Sequence, residues 1–160
     1  MTSRTEQMVE VAMAYCDLIE RTARNKPPEG WLADVAALLP RINAAVASLE
    51  AEPQGGVSPS PDMEARFDLY ARLHELLGEL DAYWLEFDAI GDEACRSGSL
   101  ADDLTDIYCE LKTGLELVRG AEGMQGARKA AASWRTGYRK HWGRHLMDAQ
   151  RHLMDLNVLG

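Results

Sequence analysis

Residues 99–118 read SLADDLTDIYCELKTGLELV, and their spacing decides the fold class. Leu100, Leu104, Ile107, Leu111, Leu115 and Val118 recur at intervals of three and four. On a helix turning about 100° per residue, that spacing puts all six on one face. Ser99 with Asp102 three residues later is a capping-box pattern, with Asp in place of the preferred Glu. This segment is a helix with one apolar stripe, and the stripe must be covered by other elements.

Working outward, the same periodicity recurs. Met8, Val11, Ala12, Tyr15, Leu18, Ile19 and Thr22 form one stripe, and Trp31, Val35, Leu38, Leu39, Ile42, Val46 and Leu49 form a second. NKPPEG (25–30) separates them, because prolines resist helix continuation. Pro40 predicts a kink or split near Leu39. AEPQGGVSPSP (51–61) is rich in turn formers and predicts a flexible connection. Ser60, Pro61 and Asp62 then read as N-cap, first-turn proline and dipole-matching acid. A third helix is predicted through Phe67, Tyr70, Leu73, Leu76, Leu77, Leu80, Trp84 and Phe87, with Gly78 as a bend or close contact. After DAIGDEACRSG (88–98) and the helix already described, RGAEGMQG (119–126) is the last break. A final helix from about Ala127 to Leu156 carries Trp134, Tyr138, Trp142, Leu146, Ala149 and Leu153, with bends expected at Gly137 or Gly143. Strand signals are weak throughout. The expectation is an all-α, single-domain bundle of about five helices over 1–160, with a long C-terminal helix.

Composition narrows the function classes. The chain has 160 residues, is 46% hydrophobic and 27% charged, and carries a net charge of -9. That length buries roughly 70% of the unfolded surface in one domain. No apolar run approaches the ~20 residues that span a bilayer, and the N-terminus lacks a signal-peptide core. Cys16, Cys95 and Cys109 show no CxxC spacing, so each reads as a buried or incidental thiol in a reducing cytoplasm. The acidic balance argues against nucleic acid as a partner. Asp62 to Glu116 holds 15 acids and 4 bases, a net of -11, whereas Arg119 to His152 holds 8 bases and 2 acids, a net of +6. An acidic helix pair packed beside a basic one explains this division. In RTGYRKHWGR (135–144) basic and aromatic residues interleave, yet Tyr138 and Trp142 fall on the core stripe and are not free to stack on bases.

Three of the four histidines lie in HWGRHLMDAQRH (141–152). With His141 at zero, His145, His152 and Asp148 fall at about 40°, 20° and 340°, along one edge of an apolar stripe centred near 100°. Imidazoles at i and i+4 can share one zinc, with carboxylates from a facing helix completing the set. The natural donors are Asp103 and Asp106, or Glu86 and Asp88. The zincin motif is absent, since Trp142 stands where its Glu belongs. A general-base histidine oriented by Asp103 or Asp106 is a second possibility, but no nucleophile motif accompanies it. A structural His–Asp bond between the last two helices is the plain alternative. Asp106 and Glu110 form a like-charge i, i+4 pair that wants a cation, for which Lys112, Arg135, Arg139 and Arg144 are candidates.

LGELDAYWLEFDA (77–89), GSLADDLTDIYCELKTGLEL (98–117) and SWRTGYRKHWGRHLMDAQRHL (133–153) together resemble a bacterial family known as domain of unknown function 5063. The likeness runs from Trp31 onward. It implies an all-helical bundle and no established activity, ligand or partner. Its characteristic motifs take in Asp102, Asp103, Asp106, Tyr108, Trp134, His141, Trp142, Gly143 and His145. Members often read Phe-Asp-Pro where this chain has Phe87-Asp88-Ala89.

The favoured expectation is a non-enzymatic cytoplasmic protein that binds another protein or itself and needs no cofactor. Its exposed apolar patch is expected among Met8, Trp31, Met147 and Met154. The alternative is a domain binding a divalent metal such as zinc, or an anion, and hydrolytic in that case. It would be built from His141, His145, Asp103 and Asp106 with Asp102, Tyr108, Trp134 and Trp142 around them, and it requires Asp103 or Asp106 within reach of His141 or His145.

Overall fold

In a computed structural model the chain is described over residues 3–24, 26–27, 29–50, 62–85, 96–120 and 124–159. Among these lie α1 (Arg4–Arg24), α2 (Trp31–Ala47), α3 (Met63–Leu77), β1 (Ala82–Leu85), β2 (Arg96–Ser99), α4 (Leu100–Gly120), α5 (Met124–Gly137) and α6 (Gly143–Asp155). A π turn over Tyr138–Trp142 makes α5 and α6 one continuous helical rod. The all-α bundle read from the sequence is the fold, with one small hairpin added.

α4 is the hub, packed by α1, α3, α5 and α6, while α2 lies against α1 and the last helices. Its stripe is fully used: Leu100, Leu104, Ile107 and Leu111 are inaccessible and Leu115 nearly so. At about 25 cal/mol per Å² of apolar surface, each such leucine stabilises the fold by roughly 2–3 kcal/mol. Facing it are Met8, Val11, Ala12, Tyr15 and Ile19 of α1, Trp134 of α5, and Leu146, Ala149 and Leu153 of α6, all buried in one connected core. The Tyr15 hydroxyl donates to the Leu104 carbonyl at 2.7 Å, which pins α1 to the hub and satisfies a buried polar group. Among the described residues no helix is long and apolar enough to cross a membrane.

Several local expectations change. Pro40 sits inside α2 without splitting it. The third helix stops at Leu77, where Gly78 takes a φ of 54° that disfavours any side chain. The chain then makes a 3₁₀ turn over Gly78–Leu80 and enters β1, paired antiparallel with β2 in the register Tyr83↔Gly98. Leu80 and Trp84, expected on a buried helical stripe, are instead exposed, as is Phe67. The Tyr83 ring lies across Gly98, where a Cβ would sit 2.2 Å from the ring. The α3 N-cap is Asp62, whose carboxylate accepts from the Glu64 and Ala65 amides at 3.1 and 3.2 Å. Met8 and Trp31 are core residues, so only Met147 and Met154 of the expected patch are exposed. The final helix begins at Met124 rather than Ala127. The connection at 51–61, Ser60 and Pro61 within it, and Glu86, Phe87, Asp88, Ala89 and Cys95 lie outside the described residues.

Candidate functional site

α4 enters the site with its start firmly capped. The Ser99 hydroxyl accepts from the Asp102 amide at 3.2 Å, as the capping-box pattern predicts. Asp81 adds a second cap: its carboxylate accepts from the Ala101 amide at 2.6 Å, and its carbonyl from the Leu100 amide at 2.9 Å. The His74 ring and the Ser99 hydroxyl also bond that carboxylate, at 2.8 and 2.9 Å. These contacts anchor the hairpin to the helix start, where an anion is favoured by the unpaired amides. The reciprocal arm of the box is not made, because Asp102 turns to Arg66 instead.

From this start Asp102, Asp103, Asp106 and Glu110 project along one edge of α4, between α3 and the α5–α6 rod. Asp106 is the pivot. Its Oδ1 accepts from Arg66 Nε at 2.9 Å and again from Nη2, and Nη2 also donates to Asp102 Oδ1 at 2.9 Å. Its Oδ2 lies 3.0 Å from His145 Nε2 and 3.7 Å from His141 Nε2. The opposite ring nitrogens face other carboxylates: His145 Nδ1 is 2.7 Å from Asp103 Oδ1, and His141 Nδ1 is 3.5 Å from Glu110 Oε1. The two rings meet edge to face, 5.0 Å between centroids. Asp103 is 97% buried, and its second oxygen accepts from the Tyr83 hydroxyl.

The electrostatics follow from this arrangement. Hydrogen bonds to Asp103 and then to Asp106 outweigh the cost of burial at His145 and raise its pKa to about 10. Burial raises Asp103 above the usual carboxylate range, and its bonds from His145 and Tyr83 only partly offset that. At Asp106 burial pulls upward too, but the bonds from His145 and Arg66 prevail and the net direction is down. Burial also raises Glu110, against the pull of His141. Four carboxylates face one guanidinium and two imidazoles, so acids outnumber bases in the cluster.

A π turn spans Tyr138–Trp142, so His141 lies within it and His145 just after it. Its i→i−5 bond runs from the Gly143 amide to the Tyr138 carbonyl, and a Cβ on Gly143 would sit 2.4 Å from that oxygen. The core stripe runs through the turn, with Trp142 inaccessible and its indole donating to the Trp134 carbonyl at 3.1 Å. His141, by contrast, stays 51% exposed at the rim.

Of the residues expected here, Asp102, Asp103, Asp106, His141 and His145 come together. Tyr108 does not; it bonds Glu20 at 2.8 Å on the α1 side, beside Lys112, which takes the same carboxylate at 2.7 Å. Trp134 and Trp142 are core residues behind the site. His152 stacks on Tyr83 and lies 2.7 Å from the Leu80 carbonyl, away from the other two histidines. The cation for Asp106 is Arg66, not Lys112, Arg135, Arg139 or Arg144. Tyr83 was also missed, as was Glu110 as a histidine partner. Arg66 had a signal: it is one of only 4 bases in the acidic half, and Asp102 and Asp106 needed one.

Asp106, His141 and His145 each offer a donor atom, all within 4.8 Å of one another, and Asp102, Asp103 and His145 form a second such group. Two imidazole nitrogens and a carboxylate oxygen are the ligand types of zinc and its neighbours.

No curated protein matches the chain. Among solved structures it is similar to protein BF1032 from Bacteroides fragilis, with a TM-score of 0.75 and 23% identity over 94% of this chain and 89% of that one. That likeness concerns the fold. The sequence pattern of the domain of unknown function 5063 matches residues 1–158, taking in α1 as well as the segment from Trp31. Together with the helical bundle, this match places the chain in the DUF5063 family.

Proposed function

We propose that this chain is a metal-binding domain for a zinc-class divalent cation, held by Asp106 Oδ2, His141 Nε2 and His145 Nε2. One observation carries the reading. Both Nε2 atoms converge on a single carboxylate oxygen, at 3.0 and 3.7 Å, while both Nδ1 atoms turn to outer carboxylates, Asp103 and Glu110. Metal-ligating histidines have this arrangement, in which the outer carboxylate fixes the tautomer and makes the ligating nitrogen more basic. A salt bridge accounts for the two His145 contacts but not for His141, which at 3.5–3.7 Å is too far for a good hydrogen bond to either partner. Three protein ligands at an exposed rim leave a coordination position for water or substrate, as in catalytic rather than structural zinc sites. The excess of acids over bases supports the reading further.

The test is zinc titration of chelator-treated, untagged protein against a competing dye, with His141→Ala beside wild type. One equivalent of zinc bound tightly by wild type, and at least ten times more weakly by the variant, is expected. His141 makes no close contact that the fold depends on, so the variant folds. Equal binding by both, or none by wild type, refutes the proposal.

A second reading, association with another protein or a second copy, draws on the exposed apolar side chains Met147 and Met154 of α6. Sedimentation of wild type against Met147→Lys/Met154→Lys tests it, since a monomer in both removes the self-association version.

A further inference from the structure

We infer that the outer edge of β1 docks an extended peptide segment of a partner protein, one carrying an acid and a base two residues apart. This surface is separate from the histidine cluster and needs no bound metal. β1 and β2 form a sheet of two strands, so among the described residues no strand covers the other edge of β1. The register fixes which backbone groups are left over. Leu100 donates its amide to the Asp81 carbonyl at 2.9 Å, and bonded pairs alternate from there, so Tyr83 and Leu85 bond Gly98 and Arg96. Ala82 and Trp84 therefore turn their N–H and C=O groups away from β2.

A cavity of about 540 Å³ lies against β1, lined by Ala82, Tyr83 and Trp84 on one side and by Arg151, His152 and Asp155 of α6 on the other. Successive side chains of a strand point to opposite faces, yet three successive residues of β1 line the cavity and none of β2 does. The edge of the strand is what borders it. α6 is held there by His152, whose ring stacks on Tyr83 with 4.8 Å between centroids and lies 2.7 Å from the Leu80 carbonyl oxygen. A slot between a strand edge and a helix takes one extended chain, added as a third strand through main-chain bonds. The helix wall then selects charge. Arg151 and Asp155 are exposed, and neither makes an ion pair among the described residues. Four apart on a helix, they stand about 5–6 Å from each other. Residues two apart in a strand share a face at about 6–7 Å, so an acid and a base at that interval meet both. Trp84, 73% exposed, offers an apolar neighbour to the paired strand.

The test selects binders to the full chain from a display library of random peptides about eight residues long. Enriched peptides are expected to carry an acid and a base two positions apart. The tightest of them should slow hydrogen exchange at the Ala82 and Trp84 amides about tenfold or more, while Tyr83 and Leu85, already bonded to β2, change little. N-methylation of alternate amides of that peptide should abolish binding. Arg151→Glu/Asp155→Lys, at two exposed positions, should bind it about tenfold more weakly and prefer the peptide with its acid and base exchanged. A library that yields no binder overturns the inference, as does a binder that leaves the Ala82 and Trp84 amides exchanging as before, or a charge-swapped variant with unchanged preference. Exchange at those amides that slows with protein concentration alone gives the edge to a second copy and overturns it too.

Discussion

Replacing His145 has a consequence whose size depends on pH. In the metal-free chain its ring donates to Asp103 and Asp106, and these bonds raise its pKa from the ordinary 6.5 to about 10. The folded chain therefore keeps a proton that the unfolded chain releases between those values. A raised folded-state pKa contributes stability fully below the unfolded value and loses it as pH climbs through the folded one. At about 1.4 kcal/mol per pH unit, the full linkage across this window is roughly 4–5 kcal/mol. The ring is 23% exposed, and solvent screening lowers the expected figure to roughly 2–4 kcal/mol. The assay is urea denaturation of wild type and His145→Gln, both with chelator, at pH 6, 8 and 10. Wild type should be the more stable at pH 6, and its advantage should shrink by roughly 2–4 kcal/mol by pH 10. A gap that stays constant across that range refutes the account of the His145 proton.

Three further outcomes are expected. Gly143→Ala drives a Cβ to 2.4 Å from the Tyr138 carbonyl and should cost roughly 1–3 kcal/mol by urea denaturation; Gly120→Ala, with nothing within 4 Å, should be neutral or gain up to about 1 kcal/mol. Asp81→Ala removes the cap of α4 and the anchor of the hairpin, and should lower stability by roughly 1–2 kcal/mol, with Asp81→Asn recovering part of it. Burial pushes the Cys16 thiol up to about 12, so alkylation at pH 8 should spare Cys16 in the folded chain and modify it once urea unfolds the protein.

The helical stripes were legible because each is set by local spacing against one core. Tyr15, Ile107 and Leu146 are buried where periodicity put them. The end of α3 was not legible, because Leu80 and Trp84 continue the helical interval and only the left-handed Gly78 breaks it. Four residues of alternation in Ala82–Leu85 are too short a signal, and RSGS opposite them has no strand character at all. In the site, His141, His145, Asp103 and Asp106 were found because each pair sits three or four apart on one helix. Arg66 and Tyr83 come from elements 40 and 20 residues away from their partners, and no local period reports such a contact. The π turn was likewise hidden, since glycines at 137 and 143 suggest a bend as readily as an extra residue.

That extra residue separates two properties of the molecule. A π turn is an α-helix with one amino acid inserted, and the helices on either side keep their orientation across it. Deleting the exposed Arg139 or Lys140 would close the turn into ordinary α-helix while Trp134, Trp142 and Leu146 stay on the core. His141, inside the turn, would shift relative to Asp106. One in-frame insertion or deletion can thus re-aim the rim histidine while leaving the interior that holds the fold together untouched.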